Sequence, residues 1–375
     1  MKIKFAKPFF SKQEINTITR VAQQDILVHG KEVKNFEQVF SNFTQSKYAL
    51  ASTSCTTALL MAYKYFNIKK GDEIIVPAQT HVATVQPIEF FDAKPVFVDS
   101  NDYDGNIDVN LIEKKINKKT RGISIVHFLG YPVEMDKLIK ICKKYKLFLI
   151  EDCALAVGAK FKGQHVGTFG DFGCFSFYPV KHITTTEGGM ITFQTKLKNN
   201  FITNMRALGV NRDFQNRKIP GQYDVKAVGL NFRLNEISSS LGSVQMKKVD
   251  KILKIRGKNF NFLYKKLQQI NEIKLFTYNN KDCTNSFYCL SIILSKNISR
   301  TKFIKYLISK NIQTSIYYPS IIPNFTFYRN KYNLNINNYK NSHMISTRSV
   351  ALPVGPHLSI RNMEYIYKTI MKYFN

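Results

Sequence analysis

Apolar residues fall in short runs of five to eight along the first half of the chain, and the segments between them follow a helical rhythm. DEIIVPA (72–78), KPVFVDS (94–100), GISIVHFL (122–129), LFLIEDCA (147–154), FGCFSFYP (172–179) and GMITFQ (189–194) read as strands. Each is almost continuously apolar rather than alternating, which is what a strand covered on both faces requires. VNLIEKKIN (109–117) and MDKLIKICKKYK (135–146) have helical spacing, and residues 35–66 read as helical with a break near the STSCTT stretch. The pattern predicts an α/β fold, with a large domain built on a mostly parallel sheet between helices.

The character changes near residue 245. KKVDKILKIRGKNFNFLYKKL (247–267) carries apolar residues at the spacing of one long helix. Strand-like SFYCLSIIL (286–294), helical RTKFIKYLISK (300–310), a Tyr- and Asn-rich loop region and a closing helix near 359–373 follow. This predicts a large domain over 1–246 and a smaller C-terminal α/β domain over 247–375.

Composition changes this picture little. The 375 residues are 44% hydrophobic and 22% charged, ordinary for a globular protein. No run approaches a membrane span, and the N-terminus has no apolar stretch of signal-peptide length, so a cytoplasmic protein is expected, without membrane or nucleic-acid partners. The six cysteines form no CxxC pair and no zinc spacing, so no metal site is expected. The formal charge of +29 is spread along the whole chain rather than gathered in one basic block. It raises encounter rates with anionic substrates. A basic nucleic-acid binder remains a distant rival, marked by salt-sensitive retention and no coloured cofactor.

Three local patterns carry candidate chemistry. Lys181 follows an aromatic strand and a proline, and precedes Thr184, Thr185, Thr186 and a Gly188–Gly189 turn into another apolar strand. A lysine there is partly desolvated, which lowers its pKa and frees the amine to attack a carbonyl. Asp152 closes a strongly apolar strand beside Glu151, and ligands of open parallel sheets bind at strand carboxyl ends. A carboxylate there can pair with a protonated ring nitrogen, or simply cap the next helix. Ser52 to Thr57 place hydroxyl residues before the apolar ALLMAYKYF, offering an anion the N-terminus of a helix or acting as a plain cap. His81 lies just past another strand end, able to stack on a flat ring or to serve as an ordinary loop residue. Gly167, Gly170 and Gly173 do not match a dinucleotide motif.

Taken in order, SCTTAL (54–59), VPAQTHVAT (76–84), VFVDS (96–100), IEDCALAVGAKFKGQHVGTFGDFGCFSFYPVKHITTTEGGM (150–190), GLNFRLNEISSSLG (229–242) and, more weakly, RSVALPV (348–354) resemble the DegT/DnrJ/EryC1/StrS sugar aminotransferases. These are a branch of the fold-type-I enzymes that use pyridoxal 5′-phosphate (PLP). The resemblance implies that Lys181 carries the cofactor as a Schiff base and that Asp152 holds its pyridinium nitrogen. It implies that the backbone at Cys55 and Thr56, with Ser176, binds the cofactor phosphate, and that His81 lies over the ring. Asn231 falls in the GxNxR motif, whose Asn reaches the phosphate of the neighbouring subunit, so a homodimer with shared active sites is implied.

The sequence departs from the family at Cys55, where Gly is common, at Leu155, where a polar residue is common, and in YYPSIIPN (317–324), which lacks the usual His after its proline. Lys181 stands where a dehydratase branch carries His, which favours transamination. The TTTEGG segment resembles members acting at C4. The expected enzyme moves an amino group from L-glutamate to a nucleotide-linked keto sugar, with C4 of a 4-keto-6-deoxyhexose as acceptor. A PLP-dependent sugar dehydratase and a non-catalytic PLP-binding regulator are the rival readings on the same scaffold. Lys31, Arg206 and Arg212 are expected nucleotide contacts.

Overall fold

The computed structural model describes residues 2–210, 219, 222–278 and 282–375. Two N-terminal helices, α1 (Lys12–Ala22) and α2 (Lys31–Thr44), lead into β1 (Tyr48–Ser52), α3 (Cys55–Tyr65), β2 (Glu73–Pro77), α4 (Val82–Phe90), β3 (Lys94–Val98), β4 (Thr120–Val126), α5 (Met135–Tyr145) and β5 (Phe148–Asp152). The two-residue strands β6 (Lys160–Phe161) and β7 (Gln164–His165) precede β8 (Phe172–Ser176), β9 (Gly189–Phe193), α6 (Lys196–Met205) and α7 (Glu236–Met246). The remainder holds α8 (Val249–Leu267), β10 (Ile273–Leu275), β11 (Cys283–Thr284), β12 (Leu290–Leu294), α9 (Arg300–Ser309), α10 (Thr326–Tyr332), α11 (Lys340–Arg348), β13 (Ser349–Leu352) and α12 (Ile360–Phe374).

Seven strands form the main sheet in the order β1-β9-β8-β5-β4-β2-β3, and β9 alone runs against its neighbours. The apolar runs of the sequence are these strands, up to three residues shorter at the ends, and β4 begins two residues earlier, at Thr120. Residues 35–66 are not one interrupted helix. Gln45 adopts a left-handed conformation that ends α2, and Tyr48–Ser52 enters the sheet as its edge strand. YALAS is too short for its apolar alternation to stand out from the helical rhythm on either side. The stretch 109–117 forms two single 3₁₀ turns, Val109–Leu111 and Glu113–Lys115, instead of a helix. A segment so short and rich in β-branched residues and Asn gains too few hydrogen bonds to offset nucleation.

Alternation along β8 decides what faces the ligand side. Phe175 and Phe177 point toward α2, where they meet Phe36 and Phe40 edge to face with ring centroids 4.9 to 5.4 Å apart. Burying each such ring contributes roughly 2 kcal/mol. Cys174 and Ser176 therefore turn to the opposite face, toward α3. A second core gathers β10, β12 and β13 against α8, α9 and α12. Ile3 joins this second core and bridges Ile312, so the first residues of the chain pack on its C-terminal part. All six cysteines are free thiols and all but Cys283 are buried. No described helix is long and apolar enough to cross a membrane.

Candidate active site

At the carboxyl end of the main sheet lies a cavity of about 420 Å³. Its walls include Cys55, Thr56, His81, Asp152, Ser176 and Lys181, six of the seven site residues expected from the sequence. They arrive from four different parts of the chain, each by its own local logic.

Asp152 is the last residue of β5, paired in register with Val126 of β4 and Cys174 of β8. Its carboxylate is held from two sides. The Thr84 hydroxyl donates to Oδ2 at 2.8 Å and the backbone N–H of Ala154 donates to Oδ1 at 3.0 Å. Thr84 is itself fixed by Thr80, hydroxyl to hydroxyl at 2.7 Å. Glu151, one residue earlier, faces away from the cavity, because successive strand residues point to opposite faces. It accepts from the backbone N–H groups of Gly167, Phe169 and Gly170 at 2.7 to 2.9 Å, and sits 3.0 Å from His127 Nε2. The pair that looks equivalent in sequence thus divides into a buried loop anchor and a cavity carboxylate.

Lys181 sits in the connection between β8 and β9. The connection is closed by backbone bonds from Phe177 N–H to Gly188 C=O and from Thr185 N–H to Phe177 C=O. The Thr184 hydroxyl also donates to Phe177 C=O at 2.9 Å. Among the described residues the amine has no hydrogen-bond or salt-bridge partner. Its Nζ lies 5.5 Å from the centre of the Tyr288 ring. Burial pushes its pKa down, and the nearby Cys55 and Asp152 oppose that shift. The direction is the one expected for an amine that must attack a carbonyl.

The opposite wall is the start of α3. Ser54 caps the helix by accepting from Thr57 N–H at 3.1 Å, and Ala58 N–H bonds the Ser54 carbonyl at 3.1 Å. The N–H groups of Cys55 and Thr56 are left for an anion. Gly189 lets this turn approach the sheet. It is in register with both Ser52 and Ser176, and a Cβ there would lie 2.3 Å from the Ser54 carbonyl carbon. Glycine at 189 is therefore a packing requirement. The side chain of Cys55 is not a reactive thiolate, since burial and then Asp152 push its pKa up.

His81 is both a capping loop residue and a cavity-lining one. It is the N-cap of α4, with Nδ1 accepting from Ala83 N–H at 3.2 Å, and its ring lines the cavity 5.4 Å from the ring of Tyr318. Leu155 also lines the cavity as a buried apolar group.

The seventh residue, Asn231, is not among the lining groups. It is exposed on the segment before α7, where it bridges Ala207. Arg206 is not a free nucleotide contact. It pairs with Glu37 and donates to the Ala51 carbonyl at 2.8 Å, tying β1 to α2. Lys31 is exposed at the first position of α2 and is not among the lining residues, and Arg212 lies outside the described residues.

Several groups of the wall were not expected as lining residues from the sequence. Tyr288, Tyr317 and Tyr318 come from the C-terminal part and close one side. Tyr288 and Tyr317 are joined hydroxyl to hydroxyl at 2.7 Å, and Gln79 Nε2 donates to the Tyr317 carbonyl at 3.1 Å. They lie more than 100 residues from Lys181, so no local spacing points to them.

The donor set fits PLP. An amine without a polar partner meets the aldehyde, a braced strand-end carboxylate suits a ring nitrogen, and a helix N-terminus with the Ser176 hydroxyl suits a phosphate.

A family model described as the DegT/DnrJ/EryC1/StrS aminotransferase family matches residues 8–371. The GDP-perosamine synthase of Escherichia coli O157:H7 is 32% identical over 347 residues, covering 92% of this chain and 91% of that protein. A UDP-4-amino-4,6-dideoxy-N-acetyl-beta-L-altrosamine transaminase of Campylobacter jejuni serotype O:23/36 is 28% identical, covering 98% and 96%. Among solved structures, Helicobacter pylori PseC, an aminotransferase of pseudoaminic acid biosynthesis, superposes with a TM-score of 0.92 at 26% identity, covering 99% of both chains.

Proposed function

Because this chain belongs to the DegT/DnrJ/EryC1/StrS aminotransferase family, we propose that it moves an amino group from L-glutamate to C4 of a nucleotide-linked 4-keto-6-deoxyhexose. It is a nucleotide-sugar aminotransferase whose cofactor is pyridoxal 5′-phosphate. The observation that carries the residue assignment is that Lys181 and Asp152, 29 positions apart in a chain of 375, line one cavity with the α3 N-terminus.

PLP supplies an aldehyde that takes up the amino group and a protonated ring that draws electrons from the reacting carbon. Lys181 holds the cofactor at rest. When free, its amine would take the proton from the glutamate carbon that gives up the amino group and, in the return half of the exchange, would supply one to the sugar carbon that receives it. Asp152, braced by Thr84 and the Ala154 N–H, keeps a proton on the ring nitrogen. The N–H groups of Cys55 and Thr56 and the Ser176 hydroxyl hold the phosphate, and His81 covers the ring. The tyrosine wall and Leu155 exclude water, which strengthens each of these electrostatic contacts.

Asn231 is assigned to the site of a second copy in a homodimer. In support, it follows an exposed apolar stretch that includes Val228 and Leu230, and Leu208 beside it is also exposed. Residues 1–246 and 247–375 are assigned as the large and small domains, and the enzyme to the cytoplasm.

The C4 assignment rests on the TTTEGG segment after Lys181 and on a relative named as the transaminase of a 4-amino-4,6-dideoxy sugar nucleotide. Incubation with glutamate and a panel of nucleotide keto sugars, with products identified by mass and NMR, tests it. A 4-amino sugar is expected. A 3-amino product overturns the position, a deoxy sugar without nitrogen supports a dehydratase, and bound cofactor without turnover supports a regulator.

A further inference from the structure

Tyr288 is held at two points and offers its ring at a third. Arg256 of α8 donates from Nη1 to the Tyr288 carbonyl at 2.9 Å, and the Tyr288 hydroxyl is bonded to Tyr317 at 2.7 Å. Arg256 has no acidic partner among the described residues, so its charge is spent on main-chain carbonyls of this segment. With both ends fixed, the ring of Tyr288 lies beside Lys181, whose Nζ is 5.5 Å from the ring centre. That is within the range of a cation–π contact, and the surroundings are largely desolvated.

The proton-carrying state of Lys181 needs such a contact. An ammonium in this cavity has lost most of its water, and burial disfavours it. Of the titratable groups around it, Asp152 is already engaged by Thr84 and Ala154 and faces the ring-nitrogen position. Cys55, Tyr317 and Tyr318 are neutral thiol and phenols, held so by burial. His81 spends Nδ1 on capping α4. Glu187 lies six residues on, past the Thr184–Thr186 turn, and lines the same cavity. The adjoining His182 is turned away, with Nε2 on the Ser286 carbonyl at 2.9 Å, and burial keeps it neutral. The face of Tyr288 is in direct contact with the amine, 5.5 Å from Nζ to the ring centre, and is suited to a positive charge.

We propose that Tyr288 is a positioning residue for the reaction, its ring face receiving and stabilising the ammonium form of Lys181 while that lysine carries the transferred proton. This rests on the assignment of Lys181 as the cofactor-bearing and proton-moving amine. The hydroxyl of Tyr288 serves to orient the ring through Tyr317, and the π-electron density is what receives the charge.

The test uses the full-length enzyme loaded with pyridoxamine phosphate, which leaves Lys181 unbonded. The pH dependence of acetylation of Lys181, read by peptide mass, gives its pKa directly. Tyr288→Phe keeps the ring face and loses only the Tyr317 bond, so it should lower this pKa and kcat by less than half as much as a variant with a depleted face. Trifluorophenylalanine at position 288 has nearly the same shape with a depleted ring face. It should lower the pKa by about one unit and kcat by about tenfold, the worth of a desolvated cation–π contact, with KM little changed. Tyr288→Leu should do the same or more. Both isosteric variants avoid the folding risk of the Leu change. An unchanged lysine pKa and kcat in the trifluoro variant overturns the inference about Tyr288 alone. Failure of borohydride to fix PLP on Lys181 in the wild-type enzyme overturns the underlying assignment, and this inference with it.

Discussion

Glu151 and Asp152 are adjacent in the chain and serve opposite sides of strand β5. Glu151 gathers three backbone N–H groups of the 167–170 loop and the His127 imidazole, and is fully buried. Asp152 lies at the cavity, held by Thr84 and Ala154. The first builds the wall behind the site, and the second presents the carboxylate.

The two acids should therefore fail differently. Glu151→Gln replaces one acceptor oxygen by a donor that faces N–H groups, at a cost of about 3 kcal/mol in stability. Asp152→Asn should change stability by less than about 1 kcal/mol and lower turnover by at least ~10²-fold. Urea unfolding beside single-turnover kinetics separates them. Equal stability losses in both variants would contradict the division.

Lys181→Ala should abolish borohydride fixation of the cofactor and cut turnover by ~10³-fold or more, with the fold intact by circular dichroism. Asn231→Ala should weaken retention of PLP. Mixing the two variants at limiting PLP, where Asn231→Ala has lost its cofactor, should after dissociation and reassociation restore part of the activity. Half of the sites in each mixed dimer would then combine an intact Lys181 with an intact Asn231. No recovery in a confirmed mixed dimer would remove Asn231 from the neighbouring site.

Glu14 ties the N-terminal helix α1 to Gln245 of α7 and to Lys248 just before α8. Burial raises its pKa, but hydrogen bonds from Lys248, Ser11 and Gln245 outweigh this and bring it from 4.5 to about 2. A carboxyl group whose folded pKa is depressed stabilises the fold above its unfolded pKa. That stability is lost as pH falls between about 4.5 and 2. Lys248→Met should shift the acid unfolding limb to higher pH. Hydrogen exchange in residues 12–22 should rise first, and an unchanged acid limb would contradict the assignment.

Asp104 has the opposite sign. Burial pushes its carboxyl from 3.8 up to about 6. The folded protein then holds a proton that the unfolded chain releases, so stability is full below about pH 3.8 and declines as pH rises through 6. Asp104→Asn keeps an acceptor for the Asn106 N–H, which Asp104 now bonds at 2.8 Å, and removes the charge. Its stability advantage over wild type should grow across that window and level off above it. A pH-independent difference, measured by thermal unfolding, would rule this out.

The sequence by itself determined the sheet-bearing half of the fold and pointed to Lys181, Asp152, His81 and the STSCTT stretch (52–57), while Ser176 came from the family resemblance alone. Near-continuous apolar runs can be satisfied only between two layers of helices, and a lysine, an acid and a hydroxyl-rich cap next to such runs must fall at strand ends. Those are local consequences of period and burial. The sequence did not disclose that YALAS is an edge strand or that 109–117 is too weak to hold a helix, since both depend on what pairs or packs beside them. It gave no sign that Arg206 is engaged by Glu37, or that Thr84 braces Asp152 across 68 positions. The tyrosine wall was equally hidden. Tyr288 meets Lys181 only because α8 and β12 carry the C-terminal part of the chain back over the main sheet. Contacts between distant segments are set by that tertiary packing, to which no local spacing responds.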